Sequence, residues 1–309
     1  MMDCFLLGAG GMMPMPGRML TALAARTNGR IYLFDAGEGA QLGWKQLGLG
    51  LRRLHVIAIT HLHADHCLGL PGLLMLRAQL QDPPPLTILG PPGIQEFVES
   101  LQRTIGFFCQ YSICFRQWAE GGSDVAYEDG EVRILWRPLK HTRLCLGYRL
   151  EEKDRPGRFD PDRASALEIP RGPLWAELQR GRPVLNGAGD WIESREVVGP
   201  LRPGRKVAFV VDTRPTPAVV ELCRGVDLAF IEGMFRPQDA SHAIAKGHLT
   251  TLEAAALASE SGALKTVLVH ISPRYTDEDL HVLESEARER CPGLTVGRDL
   301  GVYSVPASA

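Results

Sequence analysis

Between residues 61 and 66 the chain reads His61-Leu62-His63-Ala64-Asp65-His66, four metal-ligating side chains in six positions. Four such donors cannot all grip one small ion without strain, whereas two pairs can serve two adjacent ions. His61 and His63 are placed for a first metal, and Asp65 and His66 turn toward a second. Zinc takes about four N or O ligands, so more must come from elsewhere. His141, Asp212 and His270 each stand near the end of an apolar, strand-like run, where ligands collect in open α/β sheets. The expected set is His61, His63 and His141 on one metal, Asp65, His66 and His270 on the other, and Asp212 shared. A lone His-x-His is a weak signal, but His-x-His-x-Asp-His after a β-branched strand is a strong one.

Two cations about 3.5–4 Å apart lower the pKa of a shared water and stabilise attacking and leaving oxygens. The expected chemistry is hydrolysis by a metal-bridging hydroxide, with no serine or cysteine nucleophile. Asp65 would bind metal and also handle the water's proton. His248, ahead of a capped helix, is placed to meet a phosphate oxygen or oxyanion. The donor set suits two zinc ions per chain, with manganese or iron as alternatives. His55, His242 and His281 lack such placement and read as surface or supporting residues.

The elements that must position these groups alternate along the chain. Apolar runs at Cys4–Leu7, Ile31–Phe34, His55–Thr60, Leu86–Leu89, Val132–Arg137, Leu146–Leu150, Val207–Val211, Leu228–Ile231 and Val267–His270 predict strands. After the ligand motif a helix is expected to start near Leu73. Thr216-Pro217 predicts a cap and a proline at the first helical position, with Gly225 closing the helix. Thr250-x-x-Glu253 predicts a capping box before an alanine-rich helix ending near Gly262. Thr276 before Asp277, Glu278 and Asp279 predicts another helix start, with Pro292 past its end. Strands mixed with helices throughout predict α/β layers. Residues 151–205 differ: they are rich in Arg, Pro and Gly with nearly balanced charge, and their composition alone reads as a solvated surface insertion.

Net charge is −2, so no global basic field points to a nucleic acid, although a local patch remains compatible. The seven cysteines include no Cys-x-x-Cys pair, which disfavours a disulfide framework or thiolate zinc site and fits a reducing compartment. No secretory leader and no membrane-spanning run is read, so the expectation is a cytoplasmic protein without a membrane partner.

With these motifs in place, the sequence resembles ribonuclease Z, the tRNA 3′-processing endonuclease of the metallo-β-lactamase superfamily. Leu6-Leu7-Gly8-Ala9-Gly10 and Phe34-Asp35-Ala36-Gly37-Glu38-Gly39-Ala40-Gln41 are similar to its N-terminal blocks. The most specific stretch runs from Thr60 to Leu74, where Gly69-Leu70-Pro71-Gly72-Leu73-Leu74 follows the ligands. His141-Thr142 with Gly147-Tyr148, then Asp212-Thr213-Arg214, then His270-Ile271-Ser272 match in order. The resemblance implies a four-layer αββα sandwich, one domain over residues 1–309, with a flexible arm inserted at 151–205. Glu152-Lys153-Asp154-Arg155-Pro156-Gly157 and Ile169-Pro170-Arg171-Gly172-Pro173 resemble that arm, a tRNA-binding exosite. It implies homodimers that cut precursor tRNA after the discriminator nucleotide and remove the 3′ trailer. Asp65, His248 and Glu232 would be catalytic, with Glu232 orienting His248. Arg18, Gly172, Pro173 and Arg274 would bind substrate.

The sequence departs from the family pattern in three places. Pro-x-Lys-x-Arg-Asn becomes Pro14-Met15-Pro16-Gly17-Arg18-Met19, which keeps the Arg alone of its basic pair. His-Glu-Ala-Thr becomes Ile231-Glu232-Gly233-Met234, and His-Ser-Thr becomes His248-Leu249-Thr250. The departures leave two rivals: a small-molecule phosphodiesterase or other hydrolase on the same scaffold, and a non-catalytic metal- or RNA-binding protein.

Overall fold

The computed structural model describes residues 1–119 and 124–306; the last three positions of the expected domain lie outside them. The described residues group into two compact units, residues 1–151 with 206–306, and Glu152–Arg205.

Two seven-stranded sheets build the larger unit. The first contains β1 (Met2–Gly8), β2 (Ala22–Thr27), β3 (Arg30–Phe34), β4 (Leu54–Ala58), β5 (Leu86–Gly90) and β6 (Ile113–Gln117) side by side in chain order. The second is built on β7 (Val125–Glu128), β8 (Val132–Leu139) and β9 (Cys145–Glu152). In the smaller unit β10 (Val184–Leu185) pairs with β11 (Trp191–Ile192). Beyond β9 the second sheet continues with β12 (Lys206–Val210), β13 (Leu228–Glu232), β14 (Thr266–Val269) and β15 (Leu294–Val296). The last strand, β16 (Gly301–Val305), returns to the first sheet antiparallel to β1. Parallel pairing runs from β3 to β6 and from β12 to β15.

The layering follows from side-chain alternation. In β1, Cys4 and Leu6 face the cluster between the sheets, while Phe5 and Leu7 face the opposite side. The inter-sheet cluster also takes Phe34, Ala58 and Leu89 from one sheet and Tyr148, Phe209 and Phe230 from the other. Strands buried on both faces, such as β13 and β14, are the near-continuous apolar runs that parallel sheets require. The outer face of the first sheet is covered by α1 (Ala40–Gln46), α3 (Leu70–Ala78) and α4 (Ile94–Ile105); the short α2 (Ala64–Cys67) precedes α3. This is the expected αββα sandwich.

In the smaller unit Asp160 caps α5 (Pro161–Ala166), and Gly172 precedes Pro173 at the start of α6 (Pro173–Gln179). Ala164, Ile169, Leu178, Val184, Ile192 and Val197 form its own buried cluster. The composition-based expectation of a merely solvated insertion is therefore corrected: enough apolar side chains fall on shared faces to build a small core. Its two ends are tied by Arg205, whose guanidinium meets both oxygens of buried Glu152 at 2.5 and 2.6 Å.

On the outer face of the second sheet lie α7 (Pro217–Cys223), α9 (Thr251–Ser261) and α10 (Leu280–Arg288), and α8 (Ala240–Lys246) precedes α9. The Thr250–Glu253 capping box forms, and Gly262 closes α9 with φ of 68°. The third expected helix start is displaced: α10 begins at Leu280, because the Asp279 carboxylate accepts from the Thr276 N–H and hydroxyl and holds the acidic stretch as a turn. The ligand segment is helical earlier than expected, in α2 and from Leu70, where Pro71 suits the first turn of α3.

The strands feeding the site stop one or two residues short of their expected ends. β4 ends at Ala58, β12 at Val210 and β14 at Val269. Asp35, Asp212 and His270 have φ of 56°, 52° and 58°, in the left-handed region that non-glycine residues rarely occupy. The chain leaves each ladder there, and the turn swings the side chain toward the strand ends. Strained residues of this kind cluster at functional sites.

Candidate metal centre

At the strand ends the larger unit brings the sequence-predicted donors together. His61, His63, His141 and Asp212 place one ligand atom each within 4.8 Å of one another, and so do Asp65, His66 and His270. Asp212 stands between the groups. Its Oδ2 is 3.4 Å from His61 Nε2 and 3.5 Å from His141 Nε2, and its Oδ1 is 3.3 Å from His66 Nε2 and 3.2 Å from His270 Nε2. Each carboxylate oxygen thus serves a different group.

The imidazoles are oriented from behind. His141 Nδ1 donates to the Gly247 carbonyl at 3.0 Å, and His66 Nδ1 donates to Asp35 Oδ2 at 2.7 Å. Thr60 gives its hydroxyl proton to Asp35 at 2.9 Å and its N–H to the other Asp35 oxygen at 2.7 Å. With that proton committed, the Thr60 oxygen accepts from His61 Nδ1 at 3.0 Å. Nε2 of His61 and His141 is left to point its lone pair inward, the tautomer that metal-ligating histidines adopt. Burial works against charge on His66, but Asp212 and Asp35 outweigh it and hold its imidazolium pKa well above the ordinary range, a proton that a bound ion would displace from Nε2. Asp65 is held in turn by the Met12 N–H at 2.7 Å.

Asp35, fully buried, is the residue that sequence reasoning missed. It stands in a recognised block, but a carboxylate after a strand looks like any turn former. The only available signal was its place directly after the β3 apolar run, the pattern that singled out Asp212.

The local electrostatics favour bound cations. Burial, and beyond it the neighbouring His66, push the His61 imidazolium down; burial and His141 do the same to His63. Both rings are neutral lone-pair donors at neutral pH. Burial works against charge on Asp65 and Asp212, yet the surrounding histidines hold both below the ordinary carboxylate range. The donors crowd one another: His61 Nε2 is 2.8 Å from His63 Nδ1, and His66 Nε2 is 3.2 Å from His270 Nε2. Asp212 Oδ1 is buried without a hydrogen-bond donor. Imidazole nitrogens and carboxylates converging at such distances fit divalent ions bound by N and O ligands.

Beside the donors His248 sets Nδ1 3.1 Å from Glu232 Oε2, and the other Glu232 oxygen accepts from the Thr213 N–H at 2.5 Å. Burial disfavours charge on His248, but Glu232 outweighs it and holds the imidazole at a pKa of about 9. An open cavity of about 440 Å³ reaches His63, Asp65, His141, Asp212 and His248.

Over 298 residues the sequence is 42% identical to ribonuclease Z of Treponema denticola, covering 96% of both chains. The chain belongs to the ribonuclease Z family. Ribonuclease Z of Treponema pallidum is 41% identical over 298 residues, again 96% of each. The crystal structure of human tRNase Z, short form, superposes with a TM-score of 0.72 at 23% identity, over 98% of this chain and 99% of that one, and so shares the fold. A family profile described as anti-Pycsar protein Apyc1 matches residues 2–104, the part from β1 to α4 that carries the ligand motif.

Against the ribonuclease Z resemblance, the expected substrate residues separate. Arg18 is buried, donating to the Tyr275 carbonyl at 2.9 Å and Asp277 at 2.6 Å, so its guanidinium is spent inside the protein. Arg274 is exposed; it donates to Asp239 at 3.2 Å and lies 6.0 Å from the Phe235 ring centroid, and that ring is 6.2 Å from His248. Gly172 and Pro173 are exposed at the start of α6. Among the described residues no helix is long and apolar enough to cross a membrane.

Proposed function

We propose that this protein is a zinc-dependent endoribonuclease that cuts precursor tRNA at its 3′ end and releases the trailer. The observation that carries this is the complete donor set, joined through Asp212, in a chain closely related to ribonuclease Z over almost its full length. His61, His63 and His141 would hold one ion, Asp65, His66 and His270 a second, and Asp212 both. When bound, two zinc ions supply Lewis acidity and a nucleophilic oxygen at neutral pH.

The chain's own residues do the rest. Asp65, latched by the Met12 N–H, keeps an anionic oxygen beside His270 at 3.3 Å and is placed to take up a proton from the attacking water. His248 holds a proton on Nδ1 against Glu232, which turns its other ring nitrogen to the substrate side. There it stabilises developing charge on the phosphate or donates to the leaving oxygen. Residues 151–205 serve as the exosite arm of a single catalytic domain, with Gly172-Pro173 displayed on it, and the chain acts as a cytoplasmic homodimer.

The altered Pro14–Met19 and Ile231–Met234 segments support one rival, a small-molecule phosphodiesterase on the same scaffold. Purified protein with zinc should cut a tRNA transcript bearing a 3′ trailer, and Asp65→Ala should abolish the cut. Deleting 154–198 should remove tRNA cleavage while turnover of an aryl phosphodiester persists. Hydrolysis of the aryl ester by an intact protein that leaves the transcript whole would establish the rival.

A further inference from the structure

The mouth of the metal centre carries a cation that neither the sequence motifs nor the ligand set uses. Lys246 is the last residue of α8 and is exposed. Among the side chains lining the 440 Å³ cavity it is the sole lysine or arginine. Its ammonium lies 3.6 Å from the Met12 sulfur, and among the described residues it forms no ion pair. Two other basic side chains of the larger unit, Arg214 and Arg274, are paired with Glu253 and Asp239.

Both supports of this lysine are fixed to the ligands. The next residue, Gly247, turns with φ of 77° and offers its carbonyl to His141 Nδ1. A Cβ on Gly247 would stand 3.0 Å from His141 Nδ1, a tight contact that the ring would have to ease by a few tenths of an ångström. On the other side, Met12 is held in the left-handed region at φ of 65° while its N–H donates to Asp65. A strained non-glycine backbone latched to a ligand carboxylate places the Met12 thioether at the rim, and the Lys246 ammonium rests on it. The ammonium is thereby kept at the mouth, on a flexible stem and unneutralised, where a polyanion entering the site must pass.

Resting on the reading of this chain as an RNA phosphodiesterase, we propose that Lys246 is a substrate-positioning residue that binds the RNA phosphate next to the one being cut. The site then draws its positioning charge from the end of α8, while the segment at Pro14–Met19 contributes no free cation: Pro16 stands where a lysine is usual and Arg18 is turned inward. A neighbouring phosphate is present in a polynucleotide and absent from a diester with one phosphate, so the lysine acts as a selector for RNA.

The test compares wild type, Lys246→Gln and Lys246→Arg, all zinc-loaded, on trailer-bearing tRNA and on bis(p-nitrophenyl) phosphate. Lys246→Gln should raise KM for the tRNA about tenfold, the loss of one charge-assisted phosphate contact, with kcat changed far less. The ratio of kcat/KM for tRNA over aryl diester should fall by a similar factor. The slope of log affinity for tRNA against log salt should shrink by about one. Lys246→Arg should restore most of each. A lysine that only stabilises the end of α8 would move none of these ratios, and that result overturns the proposal. So does an equal loss on both substrates without rescue by arginine. Wild type that cuts the tRNA normally beside an unaffected Lys246→Gln refutes this inference alone. Wild type that hydrolyses only the aryl diester refutes the tRNA reading, and this inference with it.

Discussion

Asp35→Asn tests how much of the candidate metal centre is positioned by a residue outside the proposed ligand set. The native carboxylate is fully buried and accepts three hydrogen bonds, from the Thr60 N–H, the Thr60 hydroxyl and His66 Nδ1. An amide has one oxygen. If that oxygen takes the position facing Thr60 Oγ and His66, the amide NH2 confronts the Thr60 N–H. If it turns the other way, the NH2 confronts His66 Nδ1. The ring must then give up its Nδ1 proton and carry one on Nε2, the atom aimed at the ligands. Either arrangement leaves one buried polar group unsatisfied, which costs about 1–3 kcal/mol. Asparagine tolerates the left-handed backbone at this position, so strain does not confound the result. The metal-free protein should lose roughly 2 kcal/mol, a fall of a few degrees in Tm for a chain of this size. Zinc affinity should fall about 10- to 100-fold, the usual effect of removing a partner that orients a ligand. Thermal unfolding of the metal-free protein and zinc titration against a chromogenic chelator measure the two effects. An Asp35→Asn protein with native Tm and native zinc affinity would refute the orienting role.

Three further outcomes follow from particular contacts. Gly11→Ala would put a Cβ 2.7 Å from the His270 ring, so the ring must shift; zinc affinity should drop by about tenfold or more, and retained affinity would show that the ring has room. Arg205→Met should loosen the smaller unit by about 3 kcal/mol, the low end for breaking a buried pair, because Arg155 still holds one Glu152 oxygen at 2.8 Å; faster protease cleavage and hydrogen exchange within 152–205 would register it. Chelation should lower Tm and zinc should restore it, since ions bound by the folded state alone stabilise it in proportion to log concentration above Kd; a Tm indifferent to both would argue against tight binding.

Much of the site could be read from residue types because metal ligands are a restricted alphabet. His61 to His66 stood out by density, and His141, Asp212 and His270 by following apolar runs. His248 was placed by its position ahead of a capped helix, but Glu232 needed the resemblance, since nothing in the spacing announces their contact across 16 residues. Asp35 escaped because its work is hydrogen bonding, which its residue type does not advertise. Among the strands, those rich in valine, isoleucine and leucine were legible. β2 was not, because Ala22-Leu23-Ala24-Ala25 carries helix-forming residues, and only pairing between β1 and β3 makes it a strand. β16 was equally hidden, since its pairing partner β1 lies at the other end of the chain. The strand ends near the ligands were misplaced by a residue or two because left-handed turns at Asp212 and His270 override local propensity. In the 152–205 segment the abundance of Arg, Pro and Gly masked a handful of apolar residues that meet only after two short helices and a hairpin form.

The most direct test of the central claim is to incubate the purified protein with a trailer-bearing tRNA transcript and determine metal content on the same sample. The account predicts about two zinc ions per chain and a single cut after the discriminator nucleotide, lost in Asp65→Ala. An intact transcript in the presence of fully metal-loaded protein that still hydrolyses an aryl phosphodiester would contradict it.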